Sequence, residues 1–142
     1  MTTILADYRF GLMVSDSHTT DGDRAWSERK VRRVRGALIG LAGLWADFEP
    51  VLDWYRGGMA EPMQIDNVET AVLVLKGDGL FLLDASSTRL QRVSGGREAV
   101  GTGGKAAIAA YEAMYFTDPR RAVQIACRHD PGSRPPVRLY RL

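Results

Sequence analysis

Four short strand-like runs, separated by glycine turns or polar stretches, fill about half of the first 43 residues. TILADY (3–8) and GLMVSD (11–16) read as strands, with Arg9-Phe10-Gly11 as the tight turn between them. KVRRVRGALIGLAG (30–43) holds two more strands, at 30–34 and 37–42. The polar, turn-rich stretch 17–29 between the pairs predicts a loop or a ragged hairpin. A chain that opens in this way commits itself to antiparallel sheet before any helix is available to cover it.

The period then changes. Trp45, Phe48, Leu52 and Tyr55 recur every three or four residues, which predicts an amphipathic helix over 44–56. Gly57-Gly58 closes it, and Pro50 restricts its start or kinks it. An irregular connection, 59–68, leads to strands at 70–75, 80–84 and 89–93, with a Gly-Asp-Gly turn at 77–79. AVGTGG (99–104) opens a helix over 105–116, whose stripe Ile108, Tyr111, Met114 and Tyr115 is assigned to the core. Asp118 as cap and Pro119 at the first helical position start another helix, running to about His129. The loop 130–136 and a closing strand, 137–142, complete the chain. Strands cluster and helices cluster, so the expected class is α+β: two antiparallel sheets face to face with helices outside.

The 142 residues fit one domain, 1–142, long enough to bury a core unaided. Nineteen basic and 17 acidic residues nearly cancel, and no aromatic side chains interleave with KVRRVR. Arg32, Arg33 and Arg35 are therefore assigned to a solvated strand face, not to a nucleic-acid surface. No apolar run approaches the roughly 20 residues of a membrane span, and no basic-then-apolar leader is present. The single cysteine, Cys127, excludes an internal disulfide and suits the cytoplasm; on the apolar face of its helix it is expected to be buried and inert. His18 and His129 lack ligand spacing, and GTGG lacks the Lys-Ser/Thr of a phosphate loop, so neither metal nor cofactor is expected.

Thr2 stands directly behind Met1. Initiator methionine is normally removed ahead of a small residue, which would leave Thr2 with a hydroxyl and a free α-amine. The amine titrates near pH 8, so one residue can supply both nucleophile and base. Three later features suit that chemistry. A Lys30 ammonium beside the hydroxyl would lower its pKa and hold the amine neutral. An Asp16 carboxylate would keep the lysine charged and aimed. Gly43, at a strand-to-helix turn, would let a backbone N–H approach an oxyanion. If Met1 is retained, the amine is blocked.

TTI, a strand ending in SD, KVRR, G-x-A-G-x-x-A-D opening one helix and GTGG opening another occur here in order. In that ordered set the chain resembles the proteasome β-subunit and HslV-type peptidases, a family of N-terminal-nucleophile hydrolases. The resemblance runs from Thr2 to Gly104 and more loosely to Ser133. It implies a four-layer αββα sandwich. It also implies Thr2 as nucleophile, Asp16 and Lys30 as its supporting pair, and Gly43 as oxyanion-hole donor. Thr102 falls where the family has a serine near the terminal amine, and Asp130 and Ser133 match a D-x-x-S that supports the same amine. Arg134-Pro135 replaces the glycines that usually follow. Leu41 and Trp45, placed relative to Gly43, would line the pocket before the cut and favour apolar side chains.

The implied activity is threonine-type peptide hydrolysis in a homo-oligomeric ring, acting on peptides or unfolded protein with no cofactor. The family usually carries a second helix after the first, and here MAEPMQIDN stands in its place. That layer contributes to subunit contacts and to the docking surface for an ATPase unfoldase, so both ring size and unfoldase stay open. Two alternatives also stay open: a catalytically silent structural or assembly module of the same fold, and an N-terminal-nucleophile amide hydrolase acting on small molecules.

Overall fold

The computed structural model describes residues 2–142, so the expected removal of Met1 lies outside the described residues. In chain order the elements are β1 (Ile4–Asp7), β2 (Leu12–Ser15), β3 (His18–Asp21), β4 (Arg24–Ser27), β5 (Val31–Val34) and β6 (Ala37–Ala42). A 3-10 turn (Trp45–Asp47) leads into α1 (Phe48–Arg56), followed by β7 (Ala71–Lys76), β8 (Gly79–Asp84), β9 (Gln91–Arg92) and β10 (Arg97–Val100). α2 (Gly104–Ala113), α3 (Pro119–His129) and β11 (Arg138–Arg141) end the chain.

Two antiparallel sheets form the middle of the molecule, ordered β10-β1-β2-β11 and β5-β6-β7-β8-β9. Side-chain alternation explains the layering. Ile4, Ala6 and Met13 face Val31, Leu38, Ala42, Leu73 and Leu75 across the gap between the sheets. Their sequence neighbours Leu5, Leu12 and Val14 point the other way, onto Ala107, Tyr111, Ala122, Val123 and Ala126 of α2 and α3. On the second sheet Ile39, Leu41, Val72 and Val74 turn outward to Phe48, Val51, Leu52 and Tyr55 of α1. Strands covered on both faces between helix layers make the αββα sandwich. Among the described residues no helix is long and apolar enough to cross a membrane.

The helix expected after α1 in the family pattern is absent here. Met59, Met63 and Ile65, on an irregular segment, pack against the same core as α1 and cover part of its sheet. Pro50 falls in the first turn of α1, where its missing N–H removes no intrahelical bond, and the helix is not broken there. The polar stretch 17–29 is a true hairpin, β3 paired with β4.

Several expectations are corrected. β10 was not anticipated: REAV is half polar, and it is a strand because it pairs along the edge of β1, with Arg97 reaching the buried Asp7 carboxylate at 3.2 Å. α2 stops at Ala113, short of 116, because Tyr115 and Phe116 take left-handed φ values of 54° and 56°. That reversal sets the Phe116 ring edge-on to Tyr111 at 5.3 Å, with the Arg97 guanidinium over it at 4.0 Å. Tyr115 is thrown into solvent at 87% exposure and is not core. Arg33 and Arg35 are exposed, whereas Arg32 is half-buried, its guanidinium over the Trp45 and Phe48 rings at 5.7 and 5.4 Å. Cys127 is half-buried, and burial first, then Asp16 and Asp130, pushes its thiol up to about 11. It is protonated and a poor nucleophile at neutral pH.

Candidate active site

Thr2 and Thr3 run ahead of β1, buried between the end of β2 and the GTGG turn. The β1–β2 ladder continues past both strands: the Asp16 amide donates to the Thr3 carbonyl at 3.1 Å, and the Thr3 amide donates to Asp16 Oδ1 at 3.0 Å. Asp16 is fully buried, and its Oδ2 also accepts the His18 and Arg134 amides, each at 3.1 Å. Lys30, just ahead of β5, is 2% exposed. Its Nζ donates to Asp16 Oδ1 and Oδ2 at 3.0 and 3.1 Å and to Thr2 Oγ1 at 2.9 Å. Burial pulls the Lys30 ammonium below the ordinary lysine range, and the Asp16 carboxylate works against that pull.

Gly43 follows β6 with φ +122°. A Cβ there would lie 2.5 Å from the Thr70 Cα, so only glycine fits the turn. Thr70 Oγ1 accepts the Leu44 amide at 3.1 Å and donates to Asp47 at 2.9 Å, which fixes the chain's entry to α1. A third group gathers on the other side of Thr2. The Thr102 hydroxyl donates to Asp130 Oδ2 at 2.6 Å, as does the Ser133 hydroxyl, and Ser133 lies 2.7 Å from Thr3 Oγ1. Burial pushes the Asp130 carboxyl up, but the bonds from Ser133, Thr102 and the Gly132 amide outweigh it, and its pKa lies below the ordinary value.

Two clefts meet at Thr2. One, of about 390 Å³, is lined by Lys30, Leu41, Gly43, Leu44 and Trp45, with His18 and Trp26 from the β3–β4 hairpin as its other wall. The second, of about 440 Å³, is lined by Asn67, Glu69, Gly101 and Thr102. All nine residues singled out in the sequence lie in this neighbourhood: Thr2, Asp16 and Lys30 in one buried cluster, Thr102, Asp130 and Ser133 in a second, and Leu41, Gly43 and Trp45 at the first cleft.

Sequence reasoning missed Thr3, which ties the two clusters together through its amide and its hydroxyl. It also missed the hairpin wall and the 67–69 loop, since nothing in their local pattern says which way they fold. The departure at Arg134 has a definite place: its amide is one of the Asp16 donors.

The GTGG turn is shaped by Thr2 and Thr3. A Cβ on Gly101, at φ +91°, would run into the Thr2 carbonyl, and one on Gly103 into Thr3 Oγ1. Gly101→Ala is expected to cost about 3 kcal/mol of stability, from a backbone clash added to a left-handed φ. Gly58→Ala, also left-handed but with nothing within 4 Å of the new methyl, is expected to cost only about 1 kcal/mol. Denaturant unfolding of the two variants side by side checks this.

No family model and no curated protein matches the chain. Solved structures do. HslV from Trypanosoma brucei superposes with a TM-score of 0.79 at 23% identity, covering 98% of each chain. BPH from Thiobacillus denitrificans, in complex with epoxomicin, superposes with a TM-score of 0.73 at 22% identity, over 98% of this chain and 97% of that one. A further BPH structure from Thiobacillus denitrificans gives 0.71 at 21% identity, over 99% and 96%. Across nearly its whole length, the chain therefore has the HslV/proteasome β-type fold.

Proposed function

We propose that this chain is a threonine-type endopeptidase whose nucleophile is Thr2, freed by removal of Met1. The observation that carries the reading is the buried contact of Lys30 Nζ with Thr2 Oγ1 at 2.9 Å while Asp16 holds the same ammonium, at the junction of two clefts. In this reading Thr2 Oγ1 attacks the scissile carbonyl and forms the new C–O bond. Its proton passes to the Thr2 α-amine, and Lys30 stabilises the oxygen as it loses that proton. The Gly43 amide donates to the tetrahedral oxyanion. Collapse breaks the C–N bond, the α-amine hands its proton to the leaving amine, and water then hydrolyses the acyl ester by the same route. Asp130, Ser133 and Thr102 hold the amine-bearing backbone in place, supported by the bond of Ser133 to Thr3.

Leu41 and Trp45 give the first cleft an apolar floor, so an apolar side chain before the cut is preferred. Assembly into a homo-oligomeric ring and residence in the cytoplasm belong to the same proposal. An ATPase unfoldase would have to dock without the second helix of that layer.

Intact mass with and without epoxomicin tests the reading. The expected result is a chain lacking Met1 that gains one equivalent of the epoxyketone at Thr2, and gains none as Thr2→Ala. A chain that keeps Met1 and takes up no label would instead be a catalytically silent module of the same fold.

A further inference from the structure

The second cleft, resting on the endopeptidase reading above, has a chemistry of its own. Leu44, 48% exposed, stands with Thr2 and Gly43 between the two clefts and lines both. The proton given up by Thr2 must reach the leaving amine from the Thr2 α-amine. The Thr2 carbonyl, on the same residue as that amine, packs against Gly101, and the Gly103 amide donates to it at 3.4 Å. Thr102 of this turn lines the second cleft, not the first. The acyl part of the substrate therefore takes the first cleft, with Lys30, Leu41 and Trp45, and the leaving part takes the second.

Glu69 is the charged residue among those described as lining the second cleft. It is exposed, and its carboxylate makes no hydrogen bond or ion pair among the described residues. Its backbone is nonetheless fixed. The Glu69 amide donates to Asn67 Oδ1 at 2.8 Å, the Thr70 amide donates to the Asn67 carbonyl at 3.0 Å, and the Glu69 carbonyl packs where Gly43 has no Cβ. Glu69 thus lines the cleft at Thr2 from a fixed backbone, and no counter-charge meets its carboxylate among the described residues. The segment that carries it occupies the stretch in which the family pattern would place a second helix.

We infer that Glu69 selects a basic side chain, lysine or arginine, on the residue immediately after the scissile bond. It acts through charge at a partly exposed site. The expected preference is about fivefold in kcat/KM for lysine over glutamate at that position, shrinking as salt is added.

Two internally quenched peptides, identical except for lysine or glutamate directly after a fixed apolar residue, test this. The readout is the ratio of their kcat/KM values, with cleavage position confirmed by mass. The expected ratio favours lysine in the parent protein, approaches unity in Glu69→Gln and inverts in Glu69→Lys. A parent protein that cleaves both peptides equally, or a ratio that Glu69→Gln leaves unchanged, would overturn the assignment and leave the endopeptidase reading intact. Failure of the parent protein to cleave either peptide would overturn both.

Discussion

Thr2→Ala is expected to lose peptide hydrolysis by about 10,000-fold or more, while its unfolding midpoint stays close to that of the parent chain. In the proposed mechanism this hydroxyl makes the new bond, and the neighbouring Thr102 and Ser133 hydroxyls are both bonded to Asp130. Lys30 lies at 2.9 Å from Thr2 Oγ1 but is held by Asp16, and it has no carbonyl-directed role in this mechanism. The structural loss is small. Thr2 Oγ1 accepts a bond from Lys30, and Lys30 keeps both oxygens of Asp16, so about 1 kcal/mol is at stake. Thr2→Ser separates the chemical role from the structural one: it restores the oxygen without the methyl and should recover most of the lost rate. Continuous assay of an apolar fluorogenic peptide, with denaturant unfolding of the same preparations, measures both quantities. Substantial hydrolysis by the alanine variant would remove Thr2 from the mechanism.

The parts of this molecule that were legible in the sequence are those governed by local rules. The strand-like runs at 3–8, 11–16, 30–34 and 37–42 became β1, β2, β5 and β6; β1, β2 and β6 are buried along their whole length, as short, nearly continuous apolar runs covered on both faces must be. Asp118 does cap α3, accepting the Arg121 amide at 2.9 Å, with Pro119 at the first position. What stayed hidden depends on partners far along the chain. β10 needs the edge of β1, and α2 ends at a left-handed turn through Tyr115 and Phe116, where the sequence offers no breaker residue. Asp7 looks like a strand-end acid, yet it is fully buried and takes bonds from Tyr111, Arg97 and the Arg9 amide, so it is a structural anchor at the end of β1 away from Thr2.

The site shows the same division. Thr2, Asp16, Lys30 and Gly43 were selected as residue types suited to one reaction, and they lie together. Thr3 and Glu69 were passed over because a threonine in a strand and a glutamate in a loop carry no local signal. Glycine was legible for a reason that proved incomplete. Gly43 was expected to let an amide reach an oxyanion, but its immediate constraint is the Thr70 backbone beside it.

Asp16→Ala and Lys30→Met are expected to differ sharply in stability while both lose activity. Asp16 accepts from three backbone amides, those of Thr3, His18 and Arg134, besides Lys30. Its removal strands those donors and leaves a buried ammonium without its counter-charge, at about 3–5 kcal/mol. That is a large share of the 5–15 kcal/mol that holds an ordinary domain together. In Lys30→Met the carboxylate keeps its three amide donors and the apolar stem is replaced in kind, so the expected cost is about 2 kcal/mol. Hydrolysis should still fall about 1,000-fold, since the donor to Thr2 Oγ1 is gone. The pH dependence gives an independent sign. Burial lowers the Lys30 pKa in the folded chain below its unfolded value, so between those two values the unfolded chain binds more protons. Stability contributed by this group therefore rises with pH through that alkaline window. Lys30→Met removes the rise, so the difference between parent and variant unfolding free energies should widen in favour of the parent as pH climbs through it. Denaturant titrations of both proteins across the alkaline range measure that difference. A flat difference would mean that Asp16 offsets the burial of Lys30 in full, leaving the ammonium no easier to deprotonate in the folded chain than in the unfolded one.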